Sequence, residues 1–290
     1  MTARSAKAPS NPVLRRILTN SGVSIGGGVL ILFVLMAMLA PLLAPHDPFA
    51  QDLTRRLLPP FWHDRSVSEH LLGTDHLGRD YLSRLIFGAQ VSLGVGLGVI
   101  MVAGAIGVTL GLLAGYFGGR VDMFISFIIA TRLSLPIVLV ALAAVAVGGA
   151  SLRTLIIVMG LLLWDQFAVV TRAATQSLRS QEFIVGLRAI GASTPRILFL
   201  EILPNMRSTI LVVVTLEVAN VILLEAALSF LGLGVRPPTP SWGLMIAEGR
   251  DNILFDPWLI ALPGSLLCLL VLAVNLFGDG MRDITGPKRK

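Results

Sequence analysis

Apolar residues occupy most of this chain, in six long runs separated by shorter polar stretches. The runs lie near 22–45, 88–116, 123–147, 154–175, 207–232 and 258–278. Each is at or above the ~20 residues that a helix needs to cross a bilayer. Strands of a membrane barrel are shorter and alternate between apolar and polar positions, which these runs do not. The pattern therefore predicts an all-α integral membrane protein with six transmembrane helices.

The polar stretch between the fourth and fifth runs has a helical pattern of its own. Four apolar residues fall on one helical face: Phe183, Ile184, Leu187 and Ile190. Gly191 suits the end of this helix, and Thr194 before Pro195 predicts the N-cap of a second one. Such a pair of short helices could bind a soluble partner. An ordinary connecting loop would show the same pattern, so the residues alone leave both interpretations open.

Composition supports a membrane protein and excludes an ordinary soluble domain. The 290 residues are 54% hydrophobic and 14% charged, whereas soluble chains carry about 25% charged residues. With both termini in the cytoplasm, fourteen of the 23 Lys and Arg residues fall on the cytoplasmic side, including all three lysines. This bias follows the positive-inside rule. The net charge of +6 is thus interpreted as a topology signal, and nucleic-acid binding is not expected.

These boundaries predict a simple domain organisation. It comprises a cytoplasmic N-terminal tail (1–21), a first transmembrane helix (22–45), an extracytoplasmic loop (46–87), a five-helix core (88–278) with a cytoplasmic loop at 176–206, and a cytoplasmic tail (279–290). The first run follows Arg15 and Arg16 as a signal peptide would. It is longer than the 7–15 apolar residues of a signal peptide, so an uncleaved span is favoured.

Candidate sites for catalysis, nucleotides or metals are weak. Gly94, Gly96 and Gly98 lack the preceding strand and the following Gly-Lys-Ser/Thr of a phosphate loop. The four histidines share one loop at spacings without a ligand motif, so solvated side chains are expected: His46, His63, His70 and His76. Cys268 is alone, and no nucleophile–base arrangement is evident. No catalytic residue, metal site or bound cofactor is predicted for this chain.

Small residues on one face indicate close helix packing instead. Gly107, Gly111 and Gly115 recur at every fourth position of the second run. A stripe of this kind allows two membrane helices to approach closely.

Four charged residues lie inside the predicted spans and more than one helical turn from either end: Arg132, Asp165, Glu217 and Glu225. An unpaired charge at the bilayer centre costs about 3 kcal/mol or more, so these side chains should face protein or a water-filled path. They are candidates for a substrate pathway. The alternative explanations are a structural Arg132–Asp165 pair, which is favoured for those two residues, or side chains near a span end that reach the membrane interface.

Five segments resemble a known family, the "C"-type permease subunits of dipeptide/oligopeptide ABC transporters. They are LLGTDHLGRDYLSRLIFGAQVSLGVG (71–96), AGYFGGRVD (114–122), EAALSFLGLGVRPPTPSWGLMI (225–246), PWLIALPG (257–264) and NLFGDGMRD (275–283). The resemblance implies a multi-pass permease of the bacterial inner membrane. It also implies a homologous second permease subunit as a heterodimer partner, two ATPase subunits that bind the ATP and Mg²⁺, and an extracytoplasmic binding protein that delivers the substrate.

In this family a cytoplasmic coupling helix inserts into the ATPase, and the resemblance places it in the 176–206 loop. The residues implied in coupling are Glu182, Phe183, Ile184, Leu187, Arg188, Gly191, Leu203 and Pro204. The family's leading Glu-Ala-Ala is replaced here by Val185, Gly186 and Leu187. Ser126, Phe127 and Ala130 stand where the family has a Met-Arg…Asp pattern in the third span.

The resemblance implies ATP-driven import of short peptides, with several alternatives. Relatives also carry opines, nickel complexes, glutathione-like compounds and small glycans. A passive channel or proton-coupled carrier would explain the intramembrane glutamates but not a docking loop. A membrane-embedded hydrolase would need a nucleophile–base pair or a metal cluster that the sequence does not present.

Overall fold

The structure is a computed structural model that describes residues 20–149 and 151–285. Most of the predicted N-terminal tail and the last five residues of the chain lie outside the described residues. Within the described part the chain is helical, and the only β-type pairing there is an isolated bridge between Thr74 and Asp80. The all-α prediction is confirmed.

The helices are numbered here in chain order. They are α1 Ser21–Met38, α2 Ala40–Leu43, α3 Tyr81–Phe117, α4 Gly119–Leu133, α5 Ile137–Gly148, α6 Leu152–Leu162, α7 Asp165–Arg179, α8 Glu182–Ala189, α9 Thr194–Arg196, α10 Leu203–Asn205, α11 Arg207–Phe230, α12 Trp242–Gly249 and α13 Trp258–Thr285. A π-helical turn, Ile197–Ile202, joins α9 to α10.

Five helical stretches of the described chain are long and apolar enough to cross a membrane. They are α1, α3, α11, α13 and the consecutive pair α6–α7. Helices α4 and α5 form a sixth candidate span if they are counted together. Large apolar side chains remain exposed along these stretches, for example Leu32 and Met101. Exposed apolar surface of this extent suits contact with lipid and with other subunits.

The third predicted span, 123–147, is not one continuous helix. Helices α4 and α5 are bent by 85° at the break between Leu133 and Ile137. Pro136 lies at this break as the N-cap of α5. Proline disfavours helical conformation in the residue before it and has no N–H to donate, so the backbone hydrogen bonds of α4 end there. The sequence prediction treated the apolar run as continuous because hydropathy does not register this break.

The longest helix, α3, packs along α7 by means of the predicted glycine stripe. A Cβ atom on Gly111 would lie 2.6 Å from the carbonyl oxygen of Ala168. A Cβ on Gly107 or Gly115 would be as close to Trp164 or Thr175, respectively. The absence of side chains at these positions therefore lets the two backbones approach. The interpretation of the stripe as a helix-packing face is confirmed.

Candidate translocation site and 176–206 loop

Three of the four intramembrane charges line one cavity between α4, α7 and α11. Arg132, Asp165 and Glu217 share its wall with Gln166, Asn220 and a set of leucines. Its volume is about 380 Å³, which falls within the 300–1,000 Å³ typical of small-molecule sites. We refer to this space as the polar cavity.

The helix ends help to position two of these charges. Arg132 lies in the last turn of α4, and Asp165 lies in the first turn of α7. The helix dipole favours a positive charge at the C-terminal end of a helix and a negative charge at the N-terminal end, as found here. Arg132 Nη1 donates to Asp165 Oδ2 at 3.1 Å. The structural pairing considered from sequence thus occurs, and it occurs in the wall of the cavity.

Glu217 occupies the third helix of the cavity and makes a weaker polar contact. Its Oε1 accepts a hydrogen bond of 3.3 Å from Asn220 Nδ2, one turn further along α11. Both residues face the same space, because positions three apart lie on one side of a helix. Glu217 is buried, whereas Asn220 is exposed at the cavity surface.

Glu225 lies elsewhere, although it is only two turns away on α11. It does not line the polar cavity, and its side chain is fully buried. Its Oε1 accepts a hydrogen bond of 2.7 Å from Ser229 Oγ, and its Oε2 has no hydrogen-bond partner in the described part of the chain. The four intramembrane charges therefore do not form one pathway cluster.

The 176–206 loop contains the short helix α8, which ends at the predicted glycine. Gly191 has φ of +79°, a conformation that side chains with a Cβ disfavour. Its N–H donates to the carbonyl of Arg188, and the next N–H, of Ala192, donates to Leu187. These two bonds form a Schellman motif, so Gly191 serves as the C-terminal cap of α8.

The second half of the loop begins one residue earlier than predicted. Ser193, not Thr194, occupies the N-cap of α9, so Pro195 follows as the second helical residue. Proline is tolerated in the first turn because a backbone N–H there would have no intrahelical partner, so its absence in proline costs no hydrogen bond. Leu203 is half-buried and Pro204 is exposed, within the helical turns before α11.

The apolar residues of α8 are divided between the protein core and the surface. Ile184 is fully buried against a cluster that includes Leu112 of α3 and Ile197, and Leu187 packs against its edge. By contrast, Phe183 is 41% exposed and Ile190 is 80% exposed. The predicted face is thus not wholly available to a partner. One part anchors the loop, and the other is an exposed apolar surface.

The charged residues of α8 lie on its outer side. Glu182 and Arg188 are both exposed. The guanidinium of Arg188 lies 4.7 Å from the ring centroid of Tyr116, near the end of α3. This cation–π contact ties the outer side of α8 to α3, whose Leu112 belongs to the same buried cluster as Ile184.

A buried charge cluster that the sequence did not reveal joins the loop of residues 44–80, here called the first loop, to α12. It consists of Asp75, Arg79, Arg84 and Glu248, and both arginine side chains are at most 1% exposed. Arg79 Nε donates to Asp75 Oδ2 at 2.6 Å, and Arg84 donates to the same oxygen. Arg84 Nη2 donates to Glu248 Oε2 at 2.8 Å. Two positive and two negative charges therefore balance within one buried group.

The electrostatics of this cluster favour the ionised form of Asp75. Burial raises the pKa of the Asp75 carboxyl, but Arg84, Arg79 and two backbone N–H donors outweigh burial and hold that pKa below its ordinary value of 3.8. A buried carboxylate is stable when cations and donors surround it in this way.

One of the four histidines contradicts the expectation of solvated side chains. His70 is buried, and its Nδ1 lies 2.8 Å from Asp80 Oδ1. His46 lies on the same carboxylate oxygen at 3.5 Å. Asp80 is the N-cap of α3, where its Oδ2 accepts from the Ser83 N–H at 2.8 Å. Sequence spacing could not show this, because the pairing depends on how the loop folds over the start of α3.

Two groups within the described residues have the composition of a metal site. His46, His70 and Asp80 form one, and Asp75, His76 and Glu248 form the other. In the second, Asp75 and Glu248 are already neutralised by Arg79 and Arg84. In the first, hydrogen bonds within the chain already occupy both oxygens of Asp80. These contacts account for both groups without an ion.

Two family models match the chain. One, described as "Binding-protein-dependent transport system inner membrane component", matches residues 107–290. The other, described as the N-terminal transmembrane domain of oligopeptide transport permease C, matches residues 11–60. The chain belongs to the binding-protein-dependent transport system inner membrane components. It is therefore a permease component of a transport system and not itself an enzyme.

Curated relatives and a solved structure agree with this family. The di/tripeptide transport system permease protein DppC of Pseudomonas aeruginosa is 42% identical over 91% of this chain and 88% of its own length. The dipeptide transport system permease protein DppC of Haemophilus influenzae is 37% identical over 93% and 92%, respectively. A structure of the MetNI methionine ABC transporter in an inward-facing conformation matches with a TM-score of 0.57 at 18% identity, over 70% of this chain and 96% of the matched chain. That likeness shows the permease fold.

Proposed function

We propose that this chain is the membrane-spanning permease subunit of an ATP-driven importer of short peptides. A homologous permease subunit would be its heterodimer partner, two ATPase subunits would bind ATP and Mg²⁺, and an extracytoplasmic binding protein would deliver the peptide. The names of the curated relatives support the peptide substrate. The observation that carries the proposal is the polar cavity between three helices of a binding-protein-dependent permease.

The mechanism we propose couples the 176–206 loop to the spans by alternating access. ATPase closure would displace α8, whose Ile184 is buried in the same apolar cluster as Leu112 of α3. A well-packed contact transmits displacement instead of absorbing it, because close-packed interiors are not freely deformable. Movement of α3 relative to α7 and α11 would then open the polar cavity to alternate sides of the membrane.

Glu217 tests the role of the polar cavity. We expect Glu217→Gln to reduce peptide uptake roughly tenfold or more, because a charged acceptor in the pathway is lost. Assembly with the other subunits and ATP hydrolysis should persist, since the substitution preserves the shape of the side chain. Uptake and hydrolysis would be measured on the same reconstituted complex.

Glu225→Gln is the matched control, because Glu225 lies on the same helix but outside the cavity. Peptide uptake per assembled complex of the Glu225→Gln variant should stay near that of the unsubstituted protein. An equal loss of uptake in both variants, or normal uptake in Glu217→Gln, would contradict a role for the cavity.

Gly191 tests the geometry of the coupling loop. We expect Gly191→Val to weaken the coupling of ATP hydrolysis to uptake, because a β-branched residue at positive φ adds strain of about 1–2 kcal/mol. Apart from Gly191 itself and its two chain neighbours, no atom of the described residues lies within 4 Å of a Cβ at this position, so the effect would come from the backbone. Gly191→Asn is the control, since asparagine tolerates this conformation. If both variants couple normally, the cap of α8 has no part in coupling.

The proposed orientation places both termini in the cytoplasm and the first loop outside. Reporter fusions at Lys290 and near Ser66 should therefore report opposite compartments. The same compartment for both fusions would refute this orientation.

A further inference from the structure

Two Arg–Asp pairs connect the same two helices, α4 and α7. One pair, Asp122 with Arg172, lies at the start of α4, and the other, Arg132 with Asp165, lies at its end. In the first pair the aspartate belongs to α4 and the arginine to α7, and in the second pair these positions are exchanged. They differ in how completely the two side chains are paired.

The Asp122–Arg172 pair is fully formed. Arg172 Nη2 donates to Asp122 Oδ2 at 2.8 Å, and Arg172 Nε donates to the other carboxylate oxygen. Gln176 Nε2 adds a donor at 3.3 Å. This two-point arrangement is the geometry in which arginine binds a carboxylate most strongly.

The Arg132–Asp165 pair is only half formed. It has one hydrogen bond, from Nη1 to Oδ2 at 3.1 Å. Across all residues that the structure describes, Arg132 Nη2 and Asp165 Oδ1 are buried and have no hydrogen-bond partner. Leaving a buried charged donor and acceptor unpaired is unfavourable. This cost falls on the pair that borders the polar cavity, whereas the pair away from the cavity does not bear it.

We propose that a zwitterionic solute exchanges with this half-formed pair. Its carboxylate would accept from the Arg132 guanidinium, and its ammonium group would donate to the Asp165 carboxylate, with Glu217 as a neighbouring acceptor. One internal ion pair is thereby replaced by two between protein and solute. A small rotation of the two side chains would present their unpaired atoms to the cavity. The inference rests on the proposed function, since it takes the solute to pass through this cavity, and it names the substrate class as compounds with both a free amino group and a free carboxylate.

The test measures binding of three probes to the assembled complex in nanodiscs, without the binding protein, by equilibrium dialysis. The probes are L-alanyl-L-alanine, its N-acetyl derivative and its C-terminal amide. The unsubstituted complex should bind the free dipeptide roughly tenfold or more tightly than either blocked form, because each block removes a charged hydrogen-bonding group.

Substitutions should remove these preferences one at a time. Arg132→Gln should abolish the preference for the free acid over the amide and retain the preference for the free amine. Asp165→Asn should do the reverse. Asp122→Asn, which alters the fully formed pair on the same helices, should retain both preferences. Each protein substitution is thus combined with each blocked probe, as in a double-mutant cycle between protein and ligand. An ion pair with a purely structural role would not make each substitution selective for one end of the dipeptide.

Several outcomes would overturn the inference. They are equal binding or no binding of the three probes by the unsubstituted complex, or loss of both preferences together in each variant. If Arg132→Gln does not assemble, Arg132→Lys keeps the charge and must keep the preference for the free acid. Import of a peptide mixture, measured separately by mass spectrometry, tests the proposed function. A complex that imports peptides but does not distinguish the probes refutes only this inference, whereas one that distinguishes them but imports nothing refutes only the function.

Discussion

Asp75→Asn is expected to destabilise the complex and release the first loop from α12. The substitution leaves Arg79 and Arg84 buried with Glu248 as their only carboxylate within the cluster. Breaking a buried ion pair by removing one partner costs about 3–5 kcal/mol, because the remaining charge stays desolvated. We expect a lower thermal midpoint in detergent and faster proteolysis within the first loop, measured by mass spectrometry of the fragments.

Glu69→Gln is the control for this prediction. Glu69 belongs to the same loop and pairs with Arg55, but both side chains are about half exposed. Exposed ion pairs contribute little to stability, so its proteolysis and thermal midpoint should match the unsubstituted protein. Equal behaviour of the two variants would show that the buried cluster does not hold the loop.

The same cluster predicts a direction for the effect of pH. The pKa of Asp75 is depressed in the folded protein below its ordinary value of 3.8. Its contribution to stability is therefore fully present above that ordinary value and is lost as the pH falls through the lower, folded-state pKa. Asp75→Asn should remove this part of the acid sensitivity, since asparagine does not titrate.

Features that depend on nearby residues were predictable from the sequence. The membrane spans follow from apolar runs of sufficient length, and the close packing face of α3 follows from glycines at every fourth position, although its partner α7 does not. The cap at Gly191 follows from one glycine after an amphipathic segment. In each case the responsible residues lie within a few turns of one another, so the physical cause is contained in a short stretch of sequence.

Features that depend on distant residues were not predictable in the same way. Glu248 pairs with Arg84 across 164 positions of the chain, and nothing near either residue distinguishes it from a solvated charge. The polar cavity shows the intermediate case. Arg132, Asp165 and Glu217 stood out because charges are costly inside spans. That Glu225 lies outside the cavity depends on how α11 is rotated about its own axis, and hydropathy does not specify this rotation.

Ile190→Asp is expected to release the ATPase subunits from the complex. The side chain of Ile190 is 80% exposed at the end of α8, so the substitution should leave the permease itself folded. If this surface is buried against an ATPase, losing the apolar contact alone costs about 1.5–3 kcal/mol. The new carboxylate would add a desolvation cost. We therefore expect at least about tenfold weaker ATPase binding, measured by co-purification and by titration of ATPase onto the permease pair in nanodiscs.

Leu254→Asp provides the matched control for the docking surface. Leu254 is an equally large apolar residue, 87% exposed, in the segment between α12 and α13 that we place on the opposite side of the membrane. The Leu254→Asp variant should leave ATPase binding unchanged.

Ile190→Asp is also a sharper probe than a substitution at Leu187, which packs partly inside the permease and would disturb the loop itself. Retention of the ATPase by Ile190→Asp would mean that the apolar surface of α8 is not its docking site. The exposed ends of α8 would then be explained by an ordinary connecting loop, and the coupling mechanism would have to use another surface.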